Sequence, residues 1–538
     1  MLKLENQGRA SSAVRIIIRF MVTTRTGLSS ILQEAGSLRA GRLALLVIWL
    51  LLHIFFRTSF FNDCGTYSHT MYGNVMLHSG SLIRIDPFTC SRFGQPWIAQ
   101  QWLSEVGMAL LSMVGGFDTL LLAATLLTAL TFTGIWIRLY NSGMHLLITV
   151  LIMAMVFSAA SIQFLIRPLL ITMAALAVLF AMLVDIEAGR RPVSHLLLLL
   201  PMFWIWANSH GGYLAGIGTF GLTVAGWTAL RLSSVPTPLS APRRVFIAWA
   251  SLFLACAMSF LGPYGVELPK TWATIMDSAE VRALIIEHMP IYTTSDGVVP
   301  ILLFLGYIAF LAKFGERPLR ITWVIPIVWF LLAWSRVRNA PLFAITAAIA
   351  LAEIYSQSSL LKEIAERKPL YGLVKDRLPA KLPLRTATVL LLAGFWLQAS
   401  GSALPLLGTG WAKPDDARWP FELVPVIRAY AERKTPNKAV FTEFNLGSWA
   451  VGVDPRLRVT IDDRCELFGD RLMREHYESA SNTRLIASWV RSFSTTAALT
   501  SPDSGFDRWF RSAPGWRVVA TAPAGVWHEL DTGEVPAP

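Results

Sequence analysis

The sequence is poor in charged residues for its length. Of 538 residues, only 15% are Asp, Glu, Lys or Arg, whereas a typical soluble domain carries about 25%. Cysteine is also scarce, because the chain has four, and their spacing fits neither a disulfide framework nor a metal site. These shortages exclude an ordinary multidomain soluble protein and a small domain that depends on disulfides or on cysteine-bound metal.

Apolar residues are abundant instead. They make up 54% of the chain, the mean hydropathy is +0.50, and 20 Trp and 30 Phe add the aromatic side chains that membrane interfaces favour. This composition predicts an α-helical polytopic membrane protein that carries a smaller soluble part.

The net charge of +12 is distributed unevenly. Residues 1–405 hold 31 Lys and Arg against 18 Asp and Glu, a net charge of +13, whereas residues 406–538 hold 16 against 17, a net charge of −1. The excess positive charge therefore lies in the apolar part. We expect its partner to be anionic membrane lipid and expect no nucleic-acid binding.

Apolar runs of about 20 residues, or somewhat fewer, are the unit of a membrane-spanning helix. Eleven candidate spans lie near 43–61, 119–137, 145–162, 168–184, 194–208, 212–230, 245–262, 298–312, 321–335, 340–355 and 386–405. The ninth and tenth are short, so a re-entrant pair is the alternative interpretation of these two.

The positive-inside bias predicts the orientation. The N-terminus shows no signal-peptide cleavage pattern, and its basic segment leads into the first apolar run, which indicates a retained anchor. With this segment in the cytoplasm, the cytoplasmic side carries 23 Lys and Arg and the outer side eight. We therefore expect a protein of the cytoplasmic membrane with its C-terminal part outside.

These patterns divide the chain into three parts. We expect a cytoplasmic basic segment at 1–42, a transmembrane domain at 43–405 with a long first outer loop at 62–118, and an extracytoplasmic domain at 406–538. The last part alternates predicted helices (420–433, 470–479, 483–492) with predicted strands (439–441, 458–461, 516–521, 525–530). Such alternation predicts a small α/β layer domain.

Candidate acids lie in the first outer loop. Asp63 follows the first span at the lipid–water boundary, where a carboxylate can accept a proton from a hydroxyl beside a lipid-borne donor. The alternative is a solvated Asp at a helix end. Asp86 precedes a proline and is either a second candidate or a turn residue. Trp102 and Glu105 begin an amphipathic stretch, and Glu105 is alternatively a first-turn helix acid.

Candidate anion-binding residues are arginines at the outer ends of spans. Arg167, Arg336 and Arg338 lie on the side where positive charge is normally depleted. A guanidinium offers a planar fork suited to phosphate. Each residue taken alone could instead extend to lipid headgroups. Their convergence on one side favours an anion site.

His210 lies in an Asn-Ser-His-Gly-Gly turn between two spans and is a candidate to shape such a site. A hydrogen-bonded turn residue is the alternative. We expect no cofactor. His69, His78 and His288 lie on the same side, so a divalent metal is the alternative, but no histidine spacing indicates a metal site. Cys64 and Cys90 share the outer, oxidising side of the membrane, where a disulfide between them could form.

Several motifs together resemble a known family. They are Asp63, Gly73, Gly80, Asp86-Pro87-Phe88, Gly94-Gln95-Pro96-Trp97, Gln101-Trp102-Leu103-Ser104-Glu105, Arg167-Pro168, Ala207-Asn208-Ser209-His210-Gly211-Gly212, Pro263-Tyr264-Gly265, Arg338-Asn339, Phe444-Asn445-Leu446-Gly447-Ser448-Trp449 and Ile461-Asp462-Asp463-Arg464. In this order, they are similar to bacterial membrane proteins related to the GT-C glycosyltransferases.

The resemblance implies transfer of a sugar from a polyprenyl-phosphate donor to an acceptor outside the membrane, with inversion. Asp63 matches the family's first-loop Asp, although Asn62 and Cys64 stand where many members have an adjacent acid. Asp63 would then activate the acceptor, with Asp86, Trp102, Glu105 and His210 shaping the site and the three arginines holding the phosphate. The alternatives are a non-enzymatic subunit that binds a partner through its outer domain, and a transporter of lipid-linked sugar.

Overall fold

The computed structural model describes residues 41–361, 412–433 and 438–531, together with the isolated positions 363, 389 and 392. Most of the predicted basic segment 1–42, the predicted eleventh span apart from two positions, and the predicted domain boundary at 405–406 lie outside the described residues.

Helices dominate residues 41–361. They are α1 (Gly41–Phe55), α2 (Gly65–Ser79), α3 (Trp102–Asn141), α4 (Leu146–Ala160), α5 (Leu169–Glu187), α6 (Leu200–Ser209), α7 (Tyr213–Leu232), α8 (Pro242–Ala257), α9 (Glu267–Asp277), α10 (Ala279–Leu284), α11 (Val298–Phe314), α12 (Ile321–Ser335) and α13 (Ala340–Gln357). Short 3₁₀ turns lie at Ser59–Phe61, Ser161–Gln163, Val193–Leu199, Met258–Phe260, Ile286–His288, Ile291–Thr293, Ser295–Gly297 and Val337–Asn339.

Seven helices, counted with their flanking 3₁₀ turns, are long and apolar enough to cross a membrane. They are Trp102–Asn141, Leu146–Gln163, Leu169–Glu187, Tyr213–Leu232, Pro242–Phe260, Ser295–Phe314 and Val337–Gln357. Three shorter apolar helices, Gly41–Phe55, Val193–Ser209 and Ile321–Ser335, coincide with the first, fifth and ninth predicted spans. The chain is thus an integral membrane protein, although the predicted count of eleven spans is not confirmed.

Helix α13 lies at the centre of the helical part. In its most apolar 18-residue window, 89% of the residues are buried inside the protein. Its alanines, among them Ala344, Ala347 and Ala348, are fully buried and let neighbouring helices approach closely. With its 3₁₀ turn this segment has the length of a full crossing, so a re-entrant pair is not supported at the tenth predicted span.

The first outer loop, predicted at 62–118, is largely helical. It contains α2 and the beginning of α3, whose helical path is interrupted at Gly115 and Gly116. The two helices are in close contact, since a Cβ on Gly73 would lie 1.9 Å from the carbonyl oxygen of Glu105. This contact fixes the side chains at the start of α3 relative to those of α2.

The C-terminal residues form a five-stranded sheet in the order β2-β1-β3-β5-β4. Its strands are β1 (Ala439–Thr442), β2 (Arg458–Val459), β3 (Ala497–Thr500), β4 (Trp516–Ala522) and β5 (Gly525–Leu530), and its helices are α14 (Val424–Glu432, after the 3₁₀ turn Phe421–Leu423), α15 (Phe444–Val453), α16 (Cys465–Ser479), α17 (Thr483–Ser492) and α18 (Gly505–Ser512).

Strand β1 lies parallel to β2 and β3, whereas β5 is antiparallel to β3 and β4. The predicted α/β class is confirmed, but α15, β3 and α18 were not predicted.

The sheet is joined to the first outer loop. The loop segment around Thr89 pairs in parallel with β2, through hydrogen bonds from the Val459 N–H to the Phe88 carbonyl and from the Cys90 N–H to the Val459 carbonyl, each 2.9 Å long. The cysteines are free, so a disulfide between Cys64 and Cys90 does not form. Their thiols instead donate to Asn445 Oδ1 and to the Val459 carbonyl, both in the C-terminal part.

Candidate functional site

A cavity of about 730 Å³ lies where the helical part meets the C-terminal part. Its wall is formed by residues before and within α2 and α3, at or next to the ends of α5, α6 and α13, along α7, α9, α10 and α12, and in or before α15 and α16. Six residues singled out in the sequence line it, namely Asp63, Glu105, Arg167, His210, Arg336 and Arg338. The structure therefore brings together residues separated by up to 275 positions in the chain.

Asp63 lies in the short turn between the first apolar helix and α2. Its Oδ1 accepts the Gly65 N–H at 2.7 Å, and its Oδ2 accepts from Nη1 of Arg167 at 3.1 Å. Burial raises the pKa of the Asp63 carboxyl, while Arg167 acts in the opposite direction. The side chain keeps 16% exposure toward the cavity, so its remaining lone pairs can still meet a ligand.

Arg167 stands between two carboxylates. Its Nη1 lies 3.1 Å from Oδ2 of Asp63 and 3.1 Å from Oε1 of Glu287. Burial alone would raise the pKa of Glu287, but Arg167 and Arg338 together hold it below its usual value. The guanidinium thus allows two acidic groups to share one wall. Its charge is directed at these acids, which limits its use for a donor phosphate.

Arg338 has a different neighbour. Its Nη1 lies 2.6 Å from Nε2 of His288. Burial, with Arg338 and Arg336, lowers the pKa of His288 to about 3, so this imidazole is neutral and accepts the hydrogen bond. Arg336 and Arg338 flank Val337 at the start of the buried α13 segment, and both line the cavity. The charge of Arg338 also acts on Glu287, but its hydrogen-bond partner is the neutral ring, which leaves other N–H groups of the guanidinium for an incoming anion.

His210 is a fixed, neutral residue of the wall. Its Nδ1 accepts the Gly212 N–H at 3.0 Å and lies 2.8 Å from the Thr172 hydroxyl, which assigns the proton to Nε2. Burial, with Arg338 and Arg167, holds the pKa of His210 well below 6.5. Gly212 is required here, because a Cβ would lie 2.4 Å from Oγ1 of Thr172.

Glu105 and His69 form a buried pair on the neighbouring part of the wall. Oε1 of Glu105 lies 2.9 Å from Nδ1 of His69. Oε2 of Glu105 is buried and finds no hydrogen-bond partner among the described residues. The close approach of α2 and α3 at Gly73 positions this pair.

Two predicted residues lie outside the cavity lining. Trp102 donates its Nε1–H to Oδ1 of Asn208 at 2.9 Å, so it supports the wall from behind. Asp86 is fully buried and accepts from the backbone N–H groups of Phe88 and Thr89 and from Nη1 of Arg464. The turn interpretation of Asp86 fits this position, and the carboxylate does not reach the cavity.

Sequence reasoning gave no role to several lining residues. They include Glu287, His288, Asp463 and Arg464. The last two belong to a motif of the family resemblance. The contacts of Glu287 with Arg167, of His288 with Arg338 and of Arg464 with Asp86 join segments that are distant in the sequence. Trp272, within α9, gave no signal of its own. Its indole Nε1 is buried in the cavity wall and has no partner among the described residues.

The part of the cavity wall formed by α7 and α12 is largely apolar. It is lined by Leu214, Ala215, Gly218 and Leu222 of α7 and by Ile325, Val328, Trp329 and Leu332 of α12. Both helices belong to the apolar part of the chain, so polar and lipid-like groups meet in one space. Within the ranges that the structure describes, no group of three or more His, Cys, Asp or Glu is placed to hold a metal ion.

No family model matches the sequence, and no curated protein matches it. Solved structures do match. The apo oligosaccharyltransferase of Archaeoglobus fulgidus aligns with a TM-score of 0.53 and 13% identity, over 86% of this chain and 69% of that chain. The oligosaccharyltransferase AglB from Archaeoglobus fulgidus, in complex with an inhibitory peptide and a dolichol-phosphate, aligns with a TM-score of 0.51 and 13% identity over the same shares.

ArnT from Cupriavidus metallidurans, bound to undecaprenyl phosphate, aligns with a TM-score of 0.48 and 15% identity, over 92% of this chain and 98% of that chain. At the identities of the archaeal matches, the likeness concerns the fold. The family resemblance found in the sequence is confirmed at that level: the chain has the fold of the GT-C glycosyltransferases.

Proposed function

We propose that this protein is a membrane glycosyltransferase that moves a sugar from a polyprenyl-phosphate donor to an acceptor hydroxyl. The observation that carries the proposal is the composition of the cavity. A carboxylate, Asp63, shares one space with two arginines, Arg336 and Arg338, and with an apolar wall formed by two helices. Transfer of a lipid-linked sugar needs all three: a base for the acceptor, positive charge for the donor phosphate and an apolar surface for the lipid chain.

The apolar wall would hold the first isoprene units of the donor, since burial of hydrocarbon is favourable at about 25 cal/mol per Å². The donor phosphate would then meet Arg338, whose present partner is the neutral His288. Charge-assisted bonds from a guanidinium to phosphate are the stronger class of hydrogen bond. The AglB structure with bound dolichol-phosphate supports a lipid phosphate as the donor class.

Asp63 would accept the proton of the acceptor hydroxyl. The acceptor oxygen forms a bond to the anomeric carbon, the bond from that carbon to the phosphate oxygen breaks, and the electron pair leaves with the polyprenyl phosphate. Arg336 and Arg338 would stabilise the charge that develops on this phosphate. Arg167 holds Asp63 in place through the 3.1 Å contact and offsets the repulsion between Asp63 and Glu287.

We further propose that the cavity opens on the extracytoplasmic side of the cytoplasmic membrane. The distribution of 23 basic residues against eight supports this orientation. An alkaline-phosphatase fusion at the C-terminal end should be active, and one placed within residues 362–385 should be inactive. The reverse pattern would place the cavity on the cytoplasmic side and contradict the proposal.

The activity is tested with purified protein and a panel of polyprenyl-phosphate sugars, with released polyprenyl phosphate as the readout. We expect release with at least one donor, in the presence of an acceptor fraction from the cell envelope. A Glu267→Gln variant is the matched control, because this exposed acid lies outside the cavity lining. No release with any donor, together with unimpaired folding, would contradict the proposed function.

A further inference from the structure

His69 and Glu105 form a buried hydrogen-bonded pair in which each side chain leaves one polar atom unused. Nδ1 of His69 lies 2.9 Å from Oε1 of Glu105, and the two side chains are 10% and 2% exposed. With the carboxylate ionised, Nδ1 carries the proton and donates it. Oε2 of Glu105 is buried and has no hydrogen-bond partner in the described part of the chain, and Nε2 of His69 makes no hydrogen bond there. A buried carboxylate oxygen without a partner destabilises the folded protein.

Nε2 of His69 is close to the candidate base. A Cβ on Gly65 would lie 3.4 Å from Nε2 of His69 and 2.7 Å from Oδ1 of Asp63. The two atoms are therefore no more than 6.1 Å apart, a separation that bridging water can span. Both residues also line the cavity. A carboxylate that orients an imidazole, whose second nitrogen faces a reacting group, is the arrangement of a proton acceptor.

We propose that His69, oriented by Glu105, is the second proton acceptor of the transfer reaction. This inference rests on the proposed glycosyltransferase function. During transfer the O–H bond of the acceptor breaks and its proton moves to Asp63. The proton then passes through a bridging water to Nε2 of His69, and Glu105 neutralises the imidazolium. Asp63 is thereby ionised again while it stays paired with Arg167.

The charges around His69 support this role. The groups that face it are Glu105 on α3, Asp63 before α2, Arg167 before α5, His210 between α6 and α7, and Asp463 before α16. Burial alone would lower the pKa of His69. The hydrogen bond and charge of Glu105, with a smaller effect of Asp463, raise the pKa of His69 above 6.5 despite Arg167. Glu105 thus decides how readily the imidazole takes up a proton.

Two substitutions separate a proton acceptor from a structural pair. In His69→Asn the side-chain amide can take the place of Nδ1 and keep the bond to Glu105, but Nε2 is lost. We expect the turnover number to fall about tenfold or more, while the KM for the donor stays unchanged. His78→Asn is the matched control, because His78 lies on the same helix and is exposed.

Glu105→Gln gives a pH readout. His69 must be neutral to accept a proton, so turnover rises with pH through its pKa. The amide removes the charge that raises this pKa, and the acidic limb of the pH–rate profile should move to lower pH. A structural pair would change stability and leave the limb in place.

Three outcomes are informative. A tenfold loss in His69→Asn together with a shifted limb in Glu105→Gln supports the inference. Parental turnover in His69→Asn, or an unshifted limb in Glu105→Gln, overturns it while the parent enzyme remains active. If the parent releases no polyprenyl phosphate from any donor, the proposed function is contradicted, and so is the proton-acceptor role of His69 that depends on it.

Discussion

Nη1 of Arg464 lies 2.8 Å from Oδ1 of Asp86, and both side chains are almost completely buried. The same guanidinium also binds Asp462 and lies 4.4 Å from the centre of the Trp97 ring. One arginine of the C-terminal part is therefore held between its own segment and the first outer loop. This contact fixes the position of the neighbouring Asp463 at the cavity.

Asp86→Asn should lower stability without abolishing turnover. The amide keeps one oxygen that can accept a backbone N–H, places an NH₂ group where the second oxygen accepted the other, and removes the charge beside Arg464. We expect a loss of about 1–3 kcal/mol, because a buried charge would lose one of its partners. Thermal unfolding in detergent measures the change. Glu267→Gln is the control, since its pair with Arg84 is 53% exposed on each side and should be worth about 0–1 kcal/mol.

The opposite result would restore Asp86 as a catalytic candidate. If Asp86→Asn unfolds like the parent and the Glu267→Gln control, but loses turnover, then its carboxylate acts in the reaction and the structural role is wrong.

The sequence was sufficient to predict the fold class, because long apolar runs and alternating elements are local patterns. It also placed Asp63, Arg167 and Arg338 on one side of the membrane. Their partners were not predictable, since Asp63 meets Arg167 across 104 positions and Arg338 meets His288 across 50. The sequence pattern alone does not distinguish Arg167, which is paired with two acids, from Arg338, whose hydrogen-bond partner is a neutral imidazole.

Asp86 illustrates a second limit. An Asp before Pro signals a turn, and that signal was correct. The carboxylate is buried because the side chain of Arg464, 378 positions away in the sequence, packs against it and donates a hydrogen bond to it. Strand β3 was missed for a different reason. Ala497–Thr500 is fully buried but begins with two alanines, whereas β1, which has the same length and burial, contains the β-favouring Val440 and Phe441.

Arg338→Ala should weaken the binding of a polyprenyl phosphate by about tenfold or more, since a hydrogen bond to a charged group contributes about 1.5–3 kcal/mol. Arg338→Lys should restore part of the affinity, because the charge returns without the planar fork. Binding to the purified protein in detergent is the measurement. Arg84→Ala, at an exposed arginine outside the cavity lining, is the control. If Arg338→Ala binds the lipid like the parent, its side chain does not hold the donor phosphate.

Acidification should destabilise the protein partly through His288. Its pKa is lowered from 6.5 to about 3 in the folded state, so below pH 6.5 the unfolded state binds more protons. The stability linked to neutral His288 is therefore complete above pH 6.5 and is lost as the pH falls toward 3, at no more than about 1.4 kcal/mol per pH unit.

His288→Gln removes this linkage and leaves an oxygen that can accept from Arg338. The fall in Tm between pH 7.5 and pH 5 should be smaller in this variant than in the parent. The exposed His78, changed to Gln, should leave the fall unchanged. An equal fall in His288→Gln and the parent would show that His288 titrates normally in the folded protein.

The central claim is that Asp63 accepts the acceptor proton, and turnover by Asp63→Asn tests it most directly. The amide keeps the size of the side chain and can still accept the Gly65 N–H, and Arg167 keeps its contact with Glu287. The variant should therefore fold and bind the donor like the parent, with a Tm lowered by no more than that of Asp86→Asn. Release of polyprenyl phosphate should fall by about 10²-fold or more, because the basic group is lost. Release at the parental rate by a correctly folded Asp63→Asn variant would contradict the account.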